Sequence, residues 1–183
     1  SAGTSNVRIG VNAGNSIASG GNENTLVGDE AGTAITTGIR NVIVGYLAGD
    51  ALTDADENIA IGKSALSLDT LGSRSIAIGK SALANQNFTT ATNSYNVALG
   101  YEAGKAITTG NQNTLIGSLA GDALTSGTQN VALGYNALNS DTLGTASVAL
   151  GRSALGAQNF TTATNAFNVA IGYTAGAAVT TGV

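Results

Sequence analysis

The sequence predicts an all-β chain: a parallel β-solenoid of about ten coils, each 17 to 21 residues long, running over residues 1–183 as a single repeat array. Three observations predict it. Glycines recur at fixed steps: Gly28, Gly45, Gly62 and Gly79 stand 17 apart, Gly100 follows after 21, Gly117, Gly134 and Gly151 resume the step of 17, and Gly172 comes after another 21. Three steps of 17 and one of 21 make a cycle of 72, and super-repeat 28–99 matches 100–171 at 44 of 72 positions, the longest run being QNFTTATN at 86–93 and 158–165. Finally, each glycine closes a short aliphatic run of the form NVALG, NIAIG, NTLIG or SVALG. A unit this short cannot bury a hydrophobic face alone, so its copies must stack.

Aligning the coils on the glycine turns the chain into columns. Four residues before it stand Asn6, Asn24, Asn41, Asn58, Ser75, Asn96, Asn113, Asn130, Ser147 and Asn168. In stacked coils identical residues lie about 4.8 Å apart, within hydrogen-bonding reach of one another, which predicts an asparagine ladder. The next three residues form the strand. Side chains alternate across a strand, so Val97 and Leu99 point one way and Ala98 the other, yet all three are apolar. One face fills the coil; the other needs a second body, as in sheets covered on both sides. Lateral association of identical chains, with rotational symmetry applying one patch many times, supplies it most simply.

Three residues after the glycine runs an alanine column, Ala13, Ala31, Ala48, Ala65, Ala82, Ala103, Ala120, Ala137, Ala154 and Ala175. Such uniformity predicts a tight corner. The next position alternates between Gly (Gly32, Gly49, Gly104, Gly121, Gly176) and Leu (Leu66, Leu83, Leu138, Leu155), so coils come in two types. Eight residues after the glycine comes threonine (Thr36, Thr53, Thr70, Thr108, Thr125, Thr142, Thr180), and two later a glycine column broken only by Ala55. Threonine favours strand and glycine a turn, which predicts two short strands and two turns per coil. The 21-residue coils carry four extra residues around Asn87–Asn93 and Asn159–Asn165, a wider loop at every fourth coil. Ten coils make a rod on the order of 45 Å long.

NVALGYEAG, SIAIGKSAL and NTLIGSLAG, joined by TTG turns, resemble the YadA-like head repeats of trimeric autotransporter adhesins, and more closely the NTxxGxxAG…TTG arrays of bacteriophage tail fibres. The resemblance covers essentially the whole chain. It implies a left-handed parallel β-roll, an intertwined or side-by-side homotrimer, and an extracellular place on a virion tail fibre or a bacterial cell surface. The adhesin heads use units of about 14 residues, so no binding residue is carried over. A chain that starts at Ser1 without Met and stops at TTGV within a coil is expected to be an excerpt of a longer fibre chain.

Composition narrows the function classes. His and Cys are absent, removing the key members of the usual zinc, copper and iron sites and of Ser-His or Cys-His nucleophiles. Seven basic residues are spread along a chain of net charge −4, without the concentrated stripe that nucleic acid or an anionic membrane demands. No apolar run approaches the roughly 20 residues that span a bilayer. No cofactor, metal site or catalytic residue is expected, and the chain reads as a non-enzyme.

Several motifs invite sharper readings. GKS at Gly62–Ser64 and Gly79–Ser81 lacks the earlier glycine of a phosphate loop, whose place is taken by Glu57 and Arg74. Asp54, Asp56 and Asn58 have calcium-loop spacing, but Ile59 stands where the loop needs glycine. Asn87-Phe88-Thr89 and Asn159-Phe160-Thr161 are glycosylation sequons; a structural role for the loop, with both phenylalanines packed on the rod, is the preferred reading. Tyr46, Tyr101, Tyr135 and Tyr173 form a stripe along one edge that could stack on sugars. The regular threonines suggest an ice-binding array, although their neighbours vary through Thr37, Asp54, Leu71 and Ser126. Asp69 and Asp141 are the best acidic pair for a depolymerase but sit one period, roughly 19 Å, apart. The leading expectation is a structural and adhesive fibre segment, a trimeric shaft or head laced by Asn24, Asn41, Asn58, Asn96, Asn113, Asn130 and Asn168. The alternative is a module that binds a host or surface receptor, glycan or protein, directly through Tyr101, Tyr173 and the Phe88 loop.

Overall fold

A computed structural model describes residues 3–182 and contains strands and turns without helix. Ten three-residue strands, one per coil, form a single parallel sheet: β1 (Val7–Ile9), β2 (Thr25–Val27), β3 (Val42–Val44), β4 (Ile59–Ile61), β6 (Ile76–Ile78), β8 (Val97–Leu99), β9 (Thr114–Ile116), β10 (Val131–Leu133), β12 (Val148–Leu150) and β14 (Val169–Ile171). Each pairs in register with the strand of the next coil, as Val42, Ile43 and Val44 do with Ile59, Ala60 and Ile61. The chain is a β-solenoid of about ten stacked coils.

The second strand expected in every coil is confined to each widened coil and the coil before it. There, β5 (Gly72–Ser73) pairs with β7 (Thr92–Asn93) and β11 (Gly144–Thr145) with β13 (Thr164–Asn165), two residues each. Elsewhere the threonine column is a turn whose backbone still bonds coil to coil: Thr36 N–H donates to the Thr53 carbonyl at 2.9 Å and Thr53 N–H to that of Thr70 at 3.0 Å. The threonine hydroxyls do not pair with each other. Thr36 Oγ1 donates to the Thr53 carbonyl at 3.2 Å and Thr125 Oγ1 to the Thr142 carbonyl at 3.1 Å. With glycine two residues on, the chain turns before a second ladder can lengthen.

The turn glycine is required by both conformation and space. Gly45 has φ +133°, and a Cβ there would lie 2.8 Å from the carbonyl of Gly62 one coil on. The residues five before and two after the turn glycine are left-handed as well, though none is glycine, for example Arg40 at φ 58° and Leu47 at φ 53°. Repeated tertiary bonds hold them there: Arg40 N–H donates to the Asn22 carbonyl at 3.1 Å and Leu47 N–H to that of Asp29 at 3.1 Å.

The interior explains the two coil types. The alternating position is left-handed throughout, φ +57° at Gly32 and +54° at Leu66. Leu66, Leu83 and Leu138 fill the core, and those coils have alanine at strand centre: Ala60, Ala77 and Ala132, all fully buried. Gly32 and Gly49 instead accompany the larger centres Leu26 and Ile43; a Cβ on Gly32 would meet Ile35 at 2.8 Å and Leu26 at 3.0 Å. A third buried position follows the same rhythm, running Ile35, Leu52, Asp69, Gln86 and then Ile107, Leu124, Asp141, Gln158. Leucine at the alternating site therefore goes with a small strand centre and a polar residue across the coil.

Candidate functional site

The asparagine ladder is present and does two jobs. Each Oδ1 accepts the backbone N–H of the next asparagine, from Asn24 to Asn6 at 2.8 Å, Asn41 to Asn24 at 2.9 Å and Asn58 to Asn41 at 2.9 Å. Each Nδ2 also closes its own coil, donating to the carbonyl 14 residues ahead: Asn24 to Gly38, Asn41 to Ala55, Asn113 to Gly127 and Asn130 to Gly144, at 2.8–3.0 Å. Amide-to-amide bonds supplement these, as from Asn41 to Asn24 at 3.0 Å. Asn96 donates to Gly110 at 2.7 Å, and the terminal Asn168 to Gly182 at 2.6 Å.

Where the ladder has serine, a glutamine steps in. Gln86 Nε2 donates to Ser75 Oγ at 3.1 Å and to Asp69 Oδ2 at 2.5 Å, while its Oε1 accepts from Asn96 Nδ2 at 2.8 Å. Asp69 Oδ1 accepts the backbone N–H groups of Gly72 at 3.1 Å and Phe88 at 2.9 Å. The second copy repeats this: Gln158 bonds Asp141 at 2.6 Å and Ser147 at 3.0 Å, and Phe160 N–H donates to Asp141 at 3.0 Å. These fully buried aspartates thus anchor the widened loops rather than facing a groove. Sequence reasoning overlooked the glutamines. The signal was the coincidence of serine in the asparagine column with a polar residue where other coils carry Ile or Leu.

Phe88, expected among the surface-binding candidates, is buried at 7% exposure, as is Phe160 at 5%. Their rings cover the rod beneath the loops and offer no contact surface. A Cβ placed on Gly72 would lie 2.8 Å from the Phe88 ring, which shows how closely the loop seats.

The tyrosine stripe is exposed and shares its column with cations. Lys63 Nζ lies 5.6 Å from the Tyr46 ring centroid and Lys80 5.4 Å from that of Tyr101, while Arg152 sits 5.7 Å from Tyr135 and 5.5 Å from Tyr173. Cation–π contacts within about 6 Å contribute on the order of 0.5–1 kcal/mol at exposed sites. The Tyr101 phenol hydrogen-bonds Glu102, which raises its pKa above the ordinary tyrosine value. On the opposite flank, Glu23, Arg40, Glu57 and Arg74 form an ion-pair ladder with N–O distances of 2.9, 3.6 and 2.8 Å. The hydrogen bond from Arg74 holds the Glu57 carboxyl below the ordinary glutamate range.

Between these flanks lies the outward face of the ten-stranded sheet. Strand centres are buried from β2 onward, while β1 has an exposed arginine at its centre; the residues on either side point out and are aliphatic or threonine in every coil. Leu99, Val131, Leu133 and Leu150 are 36–40% exposed although their strands have neighbours on both sides. No family model matches the chain, and neither does any curated protein or solved structure.

Proposed function

We propose that the chain is a segment of a trimeric fibre, a stiff shaft or head borne on a bacteriophage tail or a bacterial surface. The observation that carries this reading is the outward sheet face, apolar along its whole length. Ten strands at about 4.8 Å spacing and three residues wide give a strip on the order of 450 Å². The strip matches the largest apolar patches that monomers expose and supplies over half of the ~800 Å² per partner of a stable interface. Only a body with the same axial rhythm matches all ten strands, and a second copy in register has it. Rotational symmetry then uses one patch repeatedly and closes the assembly, and the resemblance to trimeric fibre repeats supports three chains.

A rod built this way resists bending. Inter-coil backbone bonds, the asparagine ladder and the threonine hydroxyls all run along its axis, so bending stretches many bonds together. Light scattering on the purified chain tests the proposal. A mass of three chains is expected, and a well-behaved monomer of 17.9 kDa overturns it.

A further inference from the structure

The two super-repeats have diverged at almost every fully exposed position, with one exception. Within 28–99, thirteen exposed positions lie outside the inserted loop, and twelve carry a different residue 72 positions on; only Thr37 and Thr109 agree. Lys63 becomes Tyr135, Glu57 becomes Gln129 and Arg74 becomes Ala146. Inside the loop all five exposed residues are identical: Asn87, Thr89, Thr90, Ala91 and Asn93 recur as Asn159, Thr161, Thr162, Ala163 and Asn165. Packing accounts for Gln86 and Phe88, which are buried. It also accounts for Asn87, whose Oδ1 accepts from Thr70 Oγ1 at 3.3 Å, as Asn159 does from Thr142 at 3.0 Å. It does not account for the side chains of Thr89, Thr90, Ala91 and Asn93, which have no hydrogen-bond partner among the described residues.

From this we infer that the two loops are a duplicated binding site for a neutral polysaccharide. The shared groups are hydroxyls, amides and methyls without charge, the complement of an uncharged polyhydroxylated ligand. Beside each loop stands an exposed aromatic, Tyr95 at 49% and Phe167 at 69%, able to stack on the apolar face of a sugar ring. The ion-pair flank has no part in it, because Arg74 beside the first loop is Ala146 beside the second. Five small residues and one ring fall well short of the ~800 Å² that a specific protein partner covers, but they suit one or two sugar rings. Four coils separate the loops, about 19 Å along a rigid rod. Two identical sites at a fixed spacing favour a ligand that itself repeats, since the second contact forms at high effective concentration. The buried Asp69–Gln86 and Asp141–Gln158 pairs hold both loops in one shape before any ligand arrives.

The test is binding of the intact chain to immobilised dextran, mannan and galactan, with hyaluronan as a charged control. At least one neutral polymer is expected to be retained. Thr89→Ala with Thr90→Ala and Tyr95→Ser should weaken retention at least tenfold through loss of the second contact, and adding Thr161→Ala, Thr162→Ala and Phe167→Ser should abolish it. Because these side chains are exposed, the melting temperature is expected to stay within about 2 °C of the parent, and the chain mass by light scattering should not change. Retention of hyaluronan alone, of a protein partner alone, or of none of the polymers overturns the inference, as does full retention by the six-residue variant. The mass readout separates this outcome from failure of the trimer.

Discussion

Replacing Asn58 by alanine isolates what the asparagine column contributes. The side chain is fully buried. Its Oδ1 accepts the Ser75 N–H at 2.9 Å and its Nδ2 donates to the Gly72 carbonyl at 2.9 Å. Alanine leaves one donor and one acceptor on the backbone without partners in a place water does not reach. Each orphaned group costs about 1–3 kcal/mol, so the variant should lose about 4 kcal/mol. Stacked repeats need not unfold in one step, which makes a local probe preferable to a single midpoint. Hydrogen exchange at the Ser75 amide should accelerate on the order of 10³-fold, since 1.4 kcal/mol corresponds to a factor of ten. Asn168→Ala serves as the comparison: it ends the ladder, is partly exposed, lets water take over its bond to Gly182 and orphans only the Gln158 Oε1, so it should cost about 2 kcal/mol, half the loss at position 58. Exchange at Ser75 within tenfold of the parent, or equal losses at positions 58 and 168, would refute the claim that the column closes each coil.

Lysine at two outward strand positions, Val97→Lys with Ile116→Lys, should convert the assembly to single chains by light scattering while far-ultraviolet circular dichroism stays unchanged; an unchanged mass would mean that this face is not the interface. Leu66, held at φ +54° inside the core, should tolerate glycine better than alanine. Both substitutions lose about 2–4 kcal/mol of packing, but glycine relieves roughly 1 kcal/mol of left-handed strain, and denaturant titration should show that order; alanine proving the more stable would contradict it. Burial pushes the Asp50 and Asp122 carboxyls above the ordinary range, and each has an Oδ1 without a partner. A raised folded-state pKa means stability that is full below the unfolded aspartate pKa and lost as pH rises through the folded value. Asp50→Asn with Asp122→Asn should therefore melt higher than the parent at pH 7, with the gap closing as pH falls below about 4, the unfolded aspartate value. A gap that persists or widens in acid would show that something other than carboxylate desolvation is responsible.

The array was legible because a solenoid writes its geometry into the sequence at coil spacing. A glycine whose Cβ would strike the next coil has to recur at the coil length, and a buried amide that bonds its own image has to recur with it, so Gly45 and Asn41 betray the stack without any neighbouring sequence. The second strand was misjudged for a local reason. Thr36 has strand propensity, but propensity says nothing of how soon the backbone must turn, and Gly38 turns it two residues later. Phe88 reads from sequence mainly as packed on the rod and alternatively as part of a receptor-binding loop, and the structure keeps the packed reading. What buries it is the Asp69 carboxyl 19 residues earlier, a contact that no periodicity of 17 reveals. Gln86 escaped notice because its partners come from three coils, one of which supplies a serine chosen for its small size.

The placement of Asp69 carries a wider consequence. A carboxyl in the interior of a thin rod is expensive: Leu52 occupies the equivalent site one coil earlier and contributes apolar burial instead. Removing a carboxyl from water costs several kcal/mol unless its oxygens are well bonded, and even a satisfied buried polar group is frequently matched by a hydrophobic one of similar size. Nothing in the stacking of coils calls for Asp69, since the coil built on Leu52 closes without it. What the carboxyl does is grip two backbone amides, Gly72 in its own coil and Phe88 at the start of the insertion in the next, and Gln86 grips the carboxyl in turn. The interior therefore accepts a less favourable residue next to the two loops that are held still, and only there among the described residues. A loop that merely connected two coils would need no such anchor, because entropy disfavours long surface insertions only weakly. The anchored loop is also the one whose exposed residues agree between the super-repeats, so the rigid interior and the unvarying surface converge on the element proposed above to bind polysaccharide.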